Sequence, residues 1–150
     1  MLEVKQEHLV NMQLVKQLME AYQTFEKETG NVLFVGDDGR TLRRYIILLL
    51  LLKQIYYMID EETGKITGFA DWWLYDSVEE LRHKAWPKPF PMRLGSGKNG
   101  YCGVAWLERG LRGRGILRIW RDWWLKTHPE TPLYYHKDST TFIRYTRGGN

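Results

Sequence analysis

Residues Tyr101 to Lys126 read YCGVAWLE, RGLRGRG, ILRIWRDWWLK, three consecutive blocks with three different patterns. Tyr101 to Glu108 is short, apolar and rich in aromatic and β-branched residues, with Gly100 ahead of it, which predicts a buried strand. Arg109 to Gly115 places three glycines and three arginines in seven residues and predicts a loop. Helical spacing then returns: Ile116, Ile119, Trp120, Trp123 and Trp124 share one arc, while Arg114, Arg118 and Arg121 share another. A strand feeding a glycine-rich turn that opens a helix suits an anion. The first helical N–H groups lack partners, the helix end is positive, and glycine lets a phosphate approach the backbone.

The glycine spacing narrows the choice. GxxxxGK[ST] cannot be written here, since Gly95-Ser96-Gly97-Lys98 is followed by Asn99 and no glycine stands at position 92. Gly113-Arg114-Gly115 also lacks the later glycine of the dinucleotide fingerprint. Bulk numbers agree with one domain over residues 1–150: 43% of residues are hydrophobic and 14% aromatic, which excludes a disordered chain. Net charge is +4 but unevenly placed, with nine Lys and Arg against three Asp and Glu from Arg109 onward. A basic C-terminal third suits a polyanion, either a nucleotide-bearing cofactor or nucleic acid. The lone Cys102 excludes an internal disulfide framework, fits a reducing, cytoplasmic setting and reads as a small buried hydrophobe. Ile46 to Leu52 is too short to span a membrane, and the four histidines have no metal-ligand spacing.

Ahead of the decisive stretch, residues 3 to 28 predict a helix with Asn11, Val15, Leu18, Tyr22 and Phe25 on one stripe and Gly30 as its stop. Val32 to Val35 is a short strand candidate, and Thr41 can cap a second helix through Leu52, apolar on nearly every side and so expected to be buried. Ile55 to Ile59 and Lys65 to Tyr75 predict a hairpin joined by Asp60-Glu61-Glu62-Thr63-Gly64. Ser77 to Lys84 suits a helical turn, and the prolines at 87, 89 and 91 make residues 85 to 100 a long loop, either a connector or an acceptor-binding lid. After the decisive stretch, His128-Pro129 ends the helix and Leu133 to Lys137 predicts another strand.

Arg112-Gly113-Arg114-Gly115-Ile116 resembles the acyl-CoA loop of the GCN5-related N-acetyltransferase (GNAT) superfamily, whose pattern is Arg or Gln, two residues, Gly, one residue, Gly or Ala. Arg112 and Gly115 match, and Leu117 stands where Gly or Ala is usual. The hairpin, with its Gly68-Phe69, resembles the family's second and third strands. Residues 138 to 149 resemble its last helix at Phe142, Tyr145, Arg147 and Gly149, with Asp138 for the family's asparagine and Thr141 for its alanine. Most members continue with two further strands, so the resemblance implies a version trimmed at the C-terminus. It covers residues 32 to 149, leaving residues 1–30 as an additional N-terminal helix.

This resemblance implies an α/β fold: a mixed, mostly antiparallel sheet flanked by helices, with the strand at 101–108 and the strand at 133–137 splayed apart. It also implies an N-acyltransferase that moves an acyl group, usually acetyl, from acetyl-CoA or another acyl-CoA to an amine acceptor. Val104 and Trp106 would offer backbone groups to the pantetheine arm. Arg112, Gly113, Arg114, Gly115 and Ile116 would hold the pyrophosphate, with Asp138 at the last helix. Tyr145 would protonate the departing thiolate, and Glu108 is the first candidate for the base, with Asp71 and His136 behind it. The acceptor is a small molecule or a protein, and a homodimer is compatible with the sequence. Two other classes stay open: a nucleic-acid or protein-binding module using the arginines and tryptophans as a stacking platform, and a GNAT fold that has lost catalysis and serves a structural or inhibitory role.

Overall fold

The computed structural model describes residues 11–30, 39–77, 97–113, 115–136 and 142–144. Among them, helix α1 (Met12–Thr29) starts at Asn11, whose side chain accepts from the N–H groups of Gln13 at 2.9 Å and Leu14 at 3.3 Å. Asn11 is therefore the cap of this helix and not part of its apolar stripe. Gly30 closes α1 in the left-handed conformation (φ 73°), its N–H donating to the Glu26 carbonyl, as Gly at this position is expected to do. The buried stripe is Leu14, Val15, Leu18, Ala21 and Tyr22.

Helix α2 (Arg40–Leu52) ends at Leu52 as its sequence reading expects, and departs from that reading at its start and on one face. Gly39, at φ 79°, is its cap, and no side chain caps it, so Thr41 does not fill that role. The helix buries Leu42, Tyr45, Ile46, Leu49 and Leu50, while Leu48, Leu51 and Leu52 are 48%, 57% and 40% exposed. A run of apolar residues does not fix how many faces are covered; only the neighbouring elements do. Lys53 ends the helix at φ 56°, with its N–H bonded back into the last turn.

The hairpin forms as expected. β1 (Ile55–Ile59) pairs antiparallel with β2 (Ile66–Tyr75), in a register that sets Ile55 opposite Asp71 and Tyr57 opposite Phe69. Asp60 closes the turn, donating to Lys65 O and accepting from Gly64 N–H, and Gly64 adopts φ 71°. β3 (Asn99–Leu107) runs into a short 3-10 turn at Arg109–Leu111, and α3 (Ile116–Thr127) leads on to β4 (Leu133–His136) and β5 (Phe142–Arg144). The sheet order is β1-β2-β3-β4-β5. β3 and β4 run parallel, which requires a crossover, and α3 supplies it. β4 and β5 are antiparallel, with Tyr135 opposite Ile143. The fold is thus mixed α/β with a mostly antiparallel sheet and flanking helices.

Residues 142–144 correct the expectation of a last helix. Phe142-Ile143-Arg144 combines an aromatic and a β-branched residue, and pairing with β4 satisfies backbone groups that a helix would satisfy internally. The strand candidate at 32–35, the prolines at 87, 89 and 91, and all but Ser77 of the helical turn expected at Ser77 to Lys84 lie outside the described residues.

The chain divides into two compact units, one comprising the part up to Asp71 with Val104–Arg109, the other Trp72–Gly103 with the part from Gly110 onward. In the first, Tyr22 stacks on Phe69 at 4.1 Å and 25°. In the second, Trp72 meets Trp124 edge-on at 4.8 Å, and Trp120 and Trp124 are fully buried, the core role their helical spacing favours. A Cβ on Gly100 would lie 3.2 Å from both Leu133 and Trp124, so this strand position admits α3 closely only because it is glycine.

Candidate functional site

In the second unit the chain leaves its 3-10 turn through Gly113 (φ 79°) and reaches Gly115 (φ 77°), the cap residue of α3. Both glycines sit where L side chains are strained, yet a Cβ on Gly110, Gly113 or Gly115 would meet nothing within 4 Å. Conformation demands glycine at 113 and 115, and among the described residues nothing closes over the turn. No side chain caps α3, and no acidic residue stands in its first turn. Among the described residues no side-chain oxygen satisfies the first N–H groups at its positive end, and Arg112 and Arg118 nearby in the chain are exposed. A helix start of this kind suits an anion by charge and by its N–H donors.

Ahead of this turn, the parallel ladder between β3 and β4 has two rungs, Gly100 to Leu133 and Tyr101 to Tyr134, although β3 continues to Leu107 and β4 to His136. The two strands part after Tyr101, leaving Cys102 and Gly103 half-buried at the fork; Cys102 is less enclosed than its apolar surroundings in the sequence suggest. Burial pushes the Tyr101 phenol above its ordinary range, so it stays protonated at physiological pH.

The first unit holds a different polar centre. Asp71 of β2 is wholly buried. Its Oδ2 accepts from the Tyr22 hydroxyl of α1 at 2.5 Å and the Tyr45 hydroxyl of α2 at 2.8 Å, and its Oδ1 accepts from the Val104 N–H of β3 at 2.9 Å. Burial is the largest influence and raises the carboxyl to about 6, against the three hydrogen bonds that pull it down. Sequence reasoning placed Tyr22 on an apolar stripe without a partner for its hydroxyl and passed over Tyr45. A tyrosine on a buried helix face generally needs a hydrogen-bond partner, and two of them were the available signal.

The sequence candidates fall as follows. Gly113, Gly115 and the start of α3 at Ile116 come together at the open turn, beside Arg112. Val104 and Trp106 are buried on β3; the Val104 N–H is committed to Asp71, and the Trp106 indole donates to Glu28 at 3.2 Å. Glu108 is exposed just past β3, its own N–H bonded to Thr67 O at 2.8 Å. His136 ends β4 opposite Phe142. Arg114, Asp138 and Tyr145 lie outside the described residues. Trp120 and Trp124 are enclosed and offer no face for base stacking, while Trp123 is half-buried. His128 stacks on Trp124 at 4.1 Å and 11°, with Trp72 and Trp123 at 5.5 and 5.7 Å, and burial lowers its pKa.

No protein-family model matches the chain, and no curated protein matches it. Solved structures match in fold. A possible acetyltransferase from Clostridium difficile 630 superposes with a TM-score of 0.57 at 12% identity, covering 91% of this chain and 81% of that one. A predicted acetyltransferase from Clostridium acetobutylicum, solved with acetyl-CoA, superposes at 0.55 and 17% identity over 89% of this chain and 80% of that one. The GphF GNAT-like decarboxylase, solved with isobutyryl-CoA, superposes at 0.61 and 11% identity over 89% of this chain and 64% of that one. At these identities the likeness is one of fold, and that fold is the one GNAT acetyltransferases have.

Proposed function

We propose that this chain is an acyl-CoA-dependent N-acyltransferase with acetyl-CoA as donor and an amine as acceptor. The observation that carries the reading is the open, uncapped start of α3 behind two left-handed glycines, reached from a strand that parts from its parallel neighbour after two rungs. The fold likeness supports it, since two of the matched proteins hold an acyl-CoA. Fold alone does not select transfer over other acyl-CoA chemistry, because one of those two is a decarboxylase.

Acyl-CoA would supply the activated thioester. The N–H groups at Gly113 to Ile116, with the Arg112 and Arg114 guanidinium groups, would hold its pyrophosphate. Carbonyl and N–H groups of β3 past Tyr101 would align the pantetheine arm, with Val104 contributing its carbonyl because its N–H is engaged. Glu108 would take a proton from the acceptor's ammonium group, so that the free amine forms the new C–N bond at the thioester carbonyl, and the Tyr145 phenol would give a proton to the sulfur as the C–S bond breaks. Asp71 has no part in that proton transfer, since its carboxylate is enclosed and all its described contacts are donors from its own fold.

Calorimetry with acetyl-CoA tests the reading, run beside a salt-titrated shift assay with DNA and RNA. Micromolar acetyl-CoA binding that is lost in Gly113→Val and Gly115→Val, with the fold retained, is the expected outcome. Nucleic-acid binding that weakens steeply with salt, without acetyl-CoA binding, would replace it with a polyanion-binding module.

A further inference from the structure

We propose that Asp71 is a positioning residue for acyl-CoA binding, its carboxylate fixing the course of β3 at Val104; the role rests on the acyltransferase reading above. The backbone bonds between β2 and β3 carry the argument. Glu108 N–H donates to Thr67 O at 2.8 Å and Lys98 N–H to Tyr75 O at 3.1 Å. Thr67 to Tyr75 is eight steps along one strand, while Lys98 to Glu108 is ten along the other. An antiparallel ladder keeps equal steps on both sides, so β3 carries two extra residues between those bonds and is bulged. Counting from the Thr67 and Glu108 bond, four steps reach Asp71 on β2 and Val104 on β3. At that place the Val104 N–H turns to a side chain, the Asp71 Oδ1.

A bulge re-aims backbone groups, and bulges recur beside active sites for that reason. This one lies on the strand assigned to the pantetheine arm. Its anchor is itself anchored, because Tyr22 from α1 and Tyr45 from α2 both donate to Oδ2 and leave the carboxylate no freedom to rotate. Those two phenols are the titratable groups that α1 and α2 present to it; β3 presents the Val104 N–H, and across the hairpin β1 presents Ile55. Among the described residues no cation influences this carboxyl, and three hydrogen bonds hold its charge. An apolar side chain would suit a residue that only fills the core. A carboxylate is what holds an N–H of a strand that has left its ladder.

Two measurements on the full chain test the role. The first is the Val104 amide resonance against pH, which needs no cofactor. In the parent it should titrate with a midpoint near 6, and in Asp71→Asn it should not. The second is the acetyl-CoA Kd of the parent, Asp71→Asn and Asp71→Ala at pH 5 and pH 7, well below each unfolding temperature. Asn keeps an acceptor for Val104, so its Kd at pH 7 should stay within about threefold of the parent. Ala leaves that N–H without its acceptor and should weaken binding about tenfold or more, the cost of one hydrogen bond to a charged group. Cofactor phosphate titrates in the same pH range, so the Asn profile is the baseline, and the parent should lose more affinity than it on going to pH 5. Equal Kd values for Ala, Asn and parent, with a normally titrating Val104 amide, overturn the positioning role alone. Should Asp71→Ala fail to fold, the comparison of Asn with the parent still decides, and identical pH profiles overturn it. A parent that does not bind acetyl-CoA defeats the acyltransferase reading and this role with it, while its Val104 titration still reports whether the contact exists in solution.

Discussion

The two polar centres of this molecule are opposites. Around Asp71, each donor that reaches the carboxylate comes from the fold: two phenols from two helices and an N–H from a strand. At the start of α3, among the described residues, no side chain caps the helix, no acid stands in the first turn, and nothing lies within 4 Å of a Cβ built on Gly113 or Gly115. One centre has its hydrogen bonds completed by folding. The other leaves them to be completed by something else. Buried polar groups left without partners cost too much to persist, so an incomplete set is affordable only at the surface, where water or a ligand finishes it. Closure therefore marks a part of the scaffold, and openness leaves a place that water or a ligand can complete.

The largest effect should come from breaking the closed centre outright. Asp71→Leu leaves three buried donors without an acceptor, and a loss of about 3 kcal/mol or more in unfolding free energy is expected, read from urea denaturation at pH 7. A loss under about 1 kcal/mol would mean that water enters and the centre is less closed than its geometry indicates. The pH dependence sharpens the same point. A carboxyl whose folded pKa is raised from 3.8 to about 6 binds its proton more tightly in the folded state. Its contribution to stability is thus greatest below about pH 4, declines as pH rises toward 6, and is level above that, a fall of about 3 kcal/mol in all. Asp71→Asn should abolish that fall, which paired urea titrations of parent and variant at pH 4 and pH 7 would measure.

At the open centre the same kind of change should be mild for the fold. Gly115→Ala puts a Cβ into empty space and costs only the strain of φ 77°, about 1 kcal/mol; a larger loss in thermal unfolding would show that something in the fold does close over this turn. The smallest effect belongs to His128 in the same unit. Burial lowers its pKa, so its contribution to stability is complete above about 6.5 and is lost as pH falls below that, opposite in sign to Asp71. An imidazole proton resonance titrating with a midpoint below 6.5 would confirm the direction, and a midpoint above it would indicate that the three surrounding indoles favour the cation.

Much of the open centre was legible in advance because its causes are local. Glycines at 113 and 115 between an apolar run and a helical period predict a turn that only glycine tolerates, and both adopt positive φ. The hairpin through Gly64 and the stop at Gly30 were readable for the same reason. Asn11 and Thr41 were misassigned because a polar residue near a helix start can cap it, face solvent or join a stripe, and the entry path of the chain chooses among these. Gly39 took the role given to Thr41.

The closed centre was not legible, and neither was the strand at Phe142–Arg144. Asp71 reads in the sequence as a polar residue on an aromatic strand, and as such was a reserve base. Its partners Tyr22, Tyr45 and Val104 lie 49, 26 and 33 residues away, so no window of the chain holds the information that the carboxylate is buried. Phe142-Ile143-Arg144 is compatible with either helix or strand; the neighbouring edge of β4 decides by offering hydrogen-bonding groups. By itself the sequence determined the turns through Gly64, Gly113 and Gly115, the stop at Gly30 and the order of helix and strand as far as β4, because these follow from backbone sterics and the period of apolar residues within a few positions. Only the tertiary structure decided which polar groups are enclosed and which face of α2 is covered, because desolvation depends on what the rest of the chain brings alongside.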